Sequence, residues 1–169
     1  GALLAARFFL ESIETRDTSI TMGDVPLIRS ATYKKLLKML ETHDMAILSF
    51  EPGDRAKYGM LEMQGDRVSR IVEWKYWSDE TVYPRERQER LKYCNAGVYA
   101  AKRTTLLEYV RKLENRPHEV IKERDGKEVI IKEYFLTDIA EMIGVDTPDS
   151  LRAVQKLFAI TGVRGNLPV

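Results

Sequence analysis

Apolar positions along this chain recur with two periods that take turns. Short runs without Pro or Gly predict strands: Ser19-Ile20-Thr21-Met22, expected to be buried, and Met45 to Phe50. Tyr58 to Met63 and Arg67 to Trp74 predict two more around Gln64-Gly65-Asp66, the second with imperfect alternation, and Ala96 to Ala100 predicts another. Helical spacing places Tyr33, Leu36, Leu37 and Leu40 on one face of a helix that Ser30 can cap and that runs to about His43. Leu106, Leu107, Val110 and Leu113 share a face from about Thr104 onward. Ala2 to Phe9 is a helix end, and Leu136 to Ile143 is helical. Asp125-Gly126, between Val120 to Glu123 and Glu128 to Lys132, is a strong hairpin signal. Thr147 caps a last helix with Pro148 at its first position. This order of elements predicts an α/β fold with a mixed sheet.

Composition narrows the classes. The 169 residues, 44% of them hydrophobic, suffice for one domain with a real core. Basic and acidic residues number 27 and 26, so no global field recruits nucleic acid or an anionic membrane. No apolar run reaches transmembrane length, and the apolar start lacks the basic region of a signal peptide. The lone Cys94 precludes an internal disulfide framework and fits a reducing cytoplasm; with only His43 and His118 beside it, a zinc site is not expected. Tyr76 to Tyr93 alternates acid and base around Pro84-Arg85-Glu86-Arg87, which predicts a solvated helix or loop.

Candidate chemistry starts at Met22-Gly23-Asp24-Val25-Pro26-Leu27, where a strand hands over to a loop. Ligands of open α/β sheets bind outside the carboxyl ends of strands, and a carboxylate there suits Mg²⁺, which takes oxygen ligands and shares substrate phosphates. The same residues also suit a plain strand-ending turn. Four further positions draw attention: Gly59, where backbone can approach a ligand; Glu73 at a strand end; Asn95 at a strand start; and Asp146 at a helix start. Each has a plain structural alternative, as bulge, surface carboxylate, turn residue and helix cap respectively.

Gly-Asp-Val-Pro-Leu-Ile (23–28), Tyr58-Gly59, Ile71-Val72-Glu73-Trp74-Lys75, Asn95-Ala96-Gly97-Val98-Tyr99 and Glu133-Tyr134-Phe135-Leu136-Thr137-Asp138 together resemble bacterial N-acetylglucosamine-1-phosphate uridylyltransferase. That family forms the pyrophosphorylase half of the bifunctional enzyme that makes UDP-N-acetylglucosamine, a precursor of peptidoglycan and lipopolysaccharide. The resemblance runs from Gly1 to about Ile143 and onward to Phe158, and its most specific part is the Glu-Tyr-Phe-Leu-Thr-Asp run. It implies a nucleotide-diphospho-sugar transferase-like, Rossmann-like mixed sheet flanked by helices. The implied substrates are UTP and N-acetylglucosamine 1-phosphate, with Mg²⁺ as cofactor, in the cytoplasm, without nucleic-acid or membrane partners; a homo-oligomer is compatible with it. It implies that Asp24 acts catalytically through the metal, with Asp146 as second metal ligand. Met22 and Gly23 would line the nucleotide sugar, and Gly59, Glu73 and Asn95 would hold the N-acetylglucosamine. Lys75 and Thr137 are further substrate-side candidates.

Departures from the family shape these expectations. Its glycine-rich basic loop, a downstream lysine and the uracil-contacting segment fall before the equivalent of Gly1. The chain is therefore expected to be a partial nucleotidyltransferase domain over 1–169, without that loop or the acetyltransferase repeats, and inactive by itself. Met22 replaces a common tyrosine, about seven extra residues separate Glu73 from Asn95, and another insertion precedes Glu133. Only Gly144-Val145 separates Ile143 from Asp146. The competing readings are an enzyme of the same fold for another nucleotide or sugar phosphate, and a noncatalytic sugar-nucleotide-binding or assembly module.

Overall fold

The computed structural model describes residues 2–55, 58–115, 123–124, 127–128, 131–135 and 147–161. Helices α1 (Ala2–Ala5) and α2 (Arg7–Ser12) lead into β1 (Asp17–Ile20). Helix α3 (Ser30–Met39) and strand β2 (Met45–Phe50) come next, then β3 (Met60–Gln64) and β4 (Arg67–Val72). The short helices α4 (Trp74–Trp77) and α5 (Arg85–Gln88) precede the long β5 (Cys94–Lys102) and α6 (Arg103–Asn115). The pair β6 (Glu123–Arg124) and β7 (Lys127–Glu128), then β8 (Ile131–Phe135) and α7 (Pro148–Thr161), complete the described chain.

The main sheet has the order β4-β3-β5-β2-β8, with β1 also paired to β5. β2 and β8 are parallel while the other pairs are antiparallel, so the sheet is mixed as the element order predicts. β2 occupies one edge of β5 from end to end, which forces β1 and β3 to share the other. β1 takes Tyr99 to Lys102 and β3 takes Cys94, leaving Ala96 to Val98 unpaired between them. This unpaired stretch of the β5 edge forms a slot between the two strands, beyond the carboxyl end of β1 and beside the start of β3.

Core residues divide by strand alternation. Ala46, Leu48 and Phe50 of β2 and Cys94, Ala96, Val98 and Ala100 of β5 pack with Leu36 and Leu40 of the α3 region. Ile47, Leu61 and Val68 face the other way, joined by Ile71, Tyr93 and Tyr99. Leu10, Leu106, Leu107 and Val110 cover the far end of that face with Ala101. Each fully buried leucine of this kind contributes about 1.5–3 kcal/mol through removal from water. Cys94 lies within this core with its Sγ 3.4 Å from Met60 Sδ, and burial pushes its thiol up to about 11.

Several sequence expectations shift. β1 ends at Ile20, and Thr21 and Met22 lie exposed beyond it; β1 is also only half-buried, with β5 as its one partner strand among the described residues. The α3 helix starts one position earlier than a Ser30 cap requires. The carbonyl of Arg29 already accepts the Thr32 and Tyr33 amides, Ser30 is helical, and the helix stops at Met39. Trp74 begins α4 instead of ending β4. The imperfect alternation of β4 reflects a bulge: Glu62 pairs with Arg70 but Met63 with Val68, and Ser69 Oγ donates to the Glu62 carbonyl. The β3–β4 turn is the two-residue Gly65-Asp66, with Gly65 at φ +63° as a tight hairpin requires. Thr147 does cap α7, its Oγ1 accepting the Ser150 amide at 3.1 Å.

The Tyr76 to Tyr93 stretch is less solvated than its charges predict, since Trp77, Tyr83 and Leu91 are buried. The Glu62 carboxylate fastens it to β3, accepting from the Tyr83 hydroxyl at 2.8 Å and from Arg87 at 2.6 Å while pairing with Arg70. Among the described residues, no helix is long and apolar enough to cross a membrane.

Candidate functional site

β5 buckles at the slot. Ile47 pairs with Tyr99 and Ser49 with Asn95, so three residues, Ala96, Gly97 and Val98, stand against Leu48 alone. The surplus is absorbed by Gly97 at φ +69°, a conformation that a β-carbon disfavours. Asn95 braces the buckle with both ends of its amide. Its Oδ1 accepts the Gly97 amide at 3.0 Å and its Nδ2 donates to the Tyr99 hydroxyl at 2.8 Å.

Gly59 lies directly across from Asn95, its carbonyl accepting the Asn95 amide at 2.8 Å. Glu73, the residue preceding α4, folds its carboxylate over Gly59: a β-carbon there would lie 3.3 and 3.4 Å from the two carboxylate oxygens. Buried Trp77 holds this arrangement together, donating its indole N–H to the Tyr58 carbonyl at 2.9 Å. Gly59, Glu73 and Asn95 therefore converge, although they come from three separate strand ends. Among the described residues the exposed Glu73 carboxylate meets no hydrogen-bond donor, which leaves it available to a ligand.

The β1 exit lies along the other side of the slot. Tyr33 donates its hydroxyl to Thr21 Oγ1 at 3.1 Å, tying this segment to α3, and the Met22 side chain lies over Gly97. Gly23 and Asp24 form an exposed turn, and a β-carbon on Gly23 would meet nothing within 4 Å. Among the described residues no three His, Cys, Asp or Glu side chains gather around a metal position. An exposed carboxylate in open space still fits Mg²⁺, which is satisfied by one or two carboxylates when substrate phosphates and water complete its shell. Asp146 and Thr137 lie outside the described residues. Lys75 lies on α4 with its ammonium 4.8 Å from the centre of the Tyr76 ring.

Two residues of the site escape a reading of the sequence alone. Tyr99 is packed into the sheet face and reaches Asn95; burial raises its phenol, the Asn95 bond lowers it, and the nearby Glu73 carboxylate raises it again. Its signal is the spacing of Asn95, Gly97 and Tyr99 at alternate positions of one strand. Trp77 sits in a segment whose charges draw the eye away from it.

Comparison with known structures gives the fold. The chain has the nucleotide-diphospho-sugar transferase fold. It matches CMP:2-keto-3-deoxy-manno-octonic acid synthetase complexed with CTP at a TM-score of 0.63 and 17% identity, over 95% of this chain and 69% of that one. It matches 4-diphosphocytidyl-2C-methyl-D-erythritol synthase from Anaerococcus prevotii at 0.59 and 12%, over 94% and 67%. No family model matches the chain.

By sequence the chain is a homologue of the bifunctional protein GlmU. It is 34% identical to GlmU of Ruegeria pomeroyi over 137 residues, covering 81% of this chain and 26% of that protein. It is 32% identical to GlmU of Azorhizobium caulinodans over 167 residues, covering 98% and 33%. The chain thus spans about a quarter to a third of the length of these relatives. The family resemblance carried by the motifs is borne out.

Proposed function

We propose that this chain supplies the sugar-holding side of a sugar-1-phosphate nucleotidyltransferase, joining UTP and N-acetylglucosamine 1-phosphate into UDP-N-acetylglucosamine with release of pyrophosphate. The observation that carries this reading is the meeting of Gly59, Glu73 and Asn95 at one slot in a sheet of nucleotidyltransferase fold. Glu73 can accept hydrogen bonds from sugar hydroxyls, and Asn95 keeps one N–H and one lone pair beyond those it spends on the buckle. The backbone of Gly59 lets a ring approach closely.

A sugar phosphate is already a nucleophile, so the site needs alignment and charge neutralisation and no dedicated base. Glu73 and Asn95 fix the sugar and thereby aim its phosphate oxygen. Asp24, on the opposite side of the slot, would hold Mg²⁺, which when bound offsets the charge of the phosphates. Gly23 leaves room for them.

The test is pyrophosphate release by the full-length protein with Mg²⁺, N-acetylglucosamine 1-phosphate and UTP, CTP or dTTP in turn. UTP-dependent turnover on the order of 1 s⁻¹ or more supports the reading. Preference for another nucleotide moves the assignment to a sister enzyme, and sugar-nucleotide binding without turnover favours the noncatalytic module.

A further inference from the structure

We propose that Tyr99 is a substrate-contacting residue that reads a hydroxyl of the sugar ring jointly with Glu73. The inference rests on the sugar-1-phosphate reading of the slot and adds a residue to it.

The direction of one hydrogen bond carries the argument. The Gly97 amide can only donate, so the Asn95 atom facing it is the carbonyl Oδ1, and the Nδ2 group faces Tyr99. The Tyr99 oxygen is then an acceptor in that bond, and its own proton must point elsewhere. Among the described residues the proton meets no acceptor. Tyr99 is itself held: its ring packs on the face formed by Ile47, Leu61 and Val68, and its backbone pairs with Ile20 on one side and Ile47 on the other. The Tyr99 hydroxyl is bonded to the Asn95 side chain, the Asn95 backbone amide to the Gly59 carbonyl, and the Glu73 carboxylate lies over Gly59. The slot therefore brings a held neutral donor near a carboxylate that meets no donor among the described residues.

That pair selects its ligand group. A hydroxyl both donates and accepts, so one hydroxyl can give its proton to Glu73 and receive that of Tyr99. A phosphate offers acceptors only and would be repelled by Glu73, so the pair addresses the ring and leaves the phosphate to the other side of the slot. Tyr99 carries out this contact on the strand whose buckle Asn95 braces.

Steady-state kinetics of Tyr99→Phe and Glu73→Gln in the full-length protein test the proposal, with sugar 1-phosphates each lacking one ring hydroxyl. Tyr99→Phe keeps the ring and its packing, so its melting temperature should stay close to that of the unmodified protein. Its KM for N-acetylglucosamine 1-phosphate should rise about tenfold, as expected for one neutral hydrogen bond, with the KM for nucleotide unchanged. One deoxy sugar phosphate should be penalised in the unmodified protein and much less in Tyr99→Phe, which a purely structural role would not produce. If Glu73→Gln raises the sugar-phosphate KM and Tyr99→Phe does not, the Tyr99 contact is wrong while the sugar reading stands. If neither moves it, the sugar reading itself falls.

Discussion

The Met22 side chain rests against the α-carbon of Gly97, where a β-carbon would come within 2.8 Å of Met22 Cγ. This contact joins the strand carrying Asn95 to the segment that leads into Asp24. The φ of +69° calls for glycine at this position. Gly97→Ala should cost about 1–2 kcal/mol through the left-handed backbone alone, while the exposed Met22 can swing aside. In a chain of this size that lowers the melting temperature by a few degrees, on the order of 2–4 °C per kcal/mol. Thermal denaturation reads it, and Gly97→Asn should recover part of the loss because Asn tolerates the left-handed region. Equal stability of all three forms would contradict the strained-buckle account.

Gly59 raises a different constraint, one of space. A methyl group there would lie 3.0 Å from Ile71 Cγ2 and 3.3 Å from a Glu73 oxygen. The flexible Glu73 carboxylate should give way, so Gly59→Ala is expected to raise the sugar-phosphate KM by about tenfold or more. The nucleotide KM should hold. An unchanged sugar-phosphate KM would place Glu73 outside the sugar contact.

The Glu62 clamp predicts a pH effect. Burial raises the Glu62 carboxyl, but the Tyr83 hydroxyl and the Arg87 and Arg70 guanidinium groups together outweigh it and hold the group below its ordinary value of 4.5. A carboxyl depressed on folding stabilises above that ordinary value, and the contribution is lost as pH falls through the folded-state value. The melting temperature should therefore drop on acidification below about 4.5, and Glu62→Gln should shrink that drop. At neutral pH the variant should be less stable by about 1–3 kcal/mol, since it loses charge-assisted hydrogen bonds. Parallel melting curves from neutral to acid pH measure both effects, and coincident acid limbs would rule the clamp out.

How much of this was legible depends on what each feature obeys. β2 matches its predicted bounds because Met45 to Phe50 is a continuous apolar run needing no partner to declare itself. Gly59, Glu73 and Asn95 were legible as strand-end residues, whereas their convergence depends on β3 and β4 returning beside β5, which no local pattern encodes. The β5 buckle is a mismatch in register between two strands and leaves only Gly97 as a trace. Tyr83 and Leu91 were hidden by surrounding charges, some of which turn inward to Glu62.

Asp24→Asn keeps the size of the side chain and removes its charge. With Mg²⁺ bound at this position, the change should lower kcat of the full-length protein by a factor on the order of 10² or more. The fold should persist, because Asp24 is exposed and, among the described residues, has no hydrogen-bond partner. Mg²⁺ titration of the rate, with circular dichroism alongside, separates the possibilities. Near-normal Mg²⁺-dependent rates would remove Asp24 from the metal site, and a lost fold would make it a structural residue.

The slot formed by Gly59, Glu73 and Asn95 is proposed to hold the sugar of a nucleotidyltransferase. Initial rates of the full-length Glu73→Ala protein, with each substrate varied at saturating levels of the other, test it most directly. If Glu73 holds the sugar, kcat/KM for N-acetylglucosamine 1-phosphate falls by about a hundredfold, consistent with loss of hydrogen bonds to a charged group, while that for UTP changes little. A loss confined to the UTP term would contradict it.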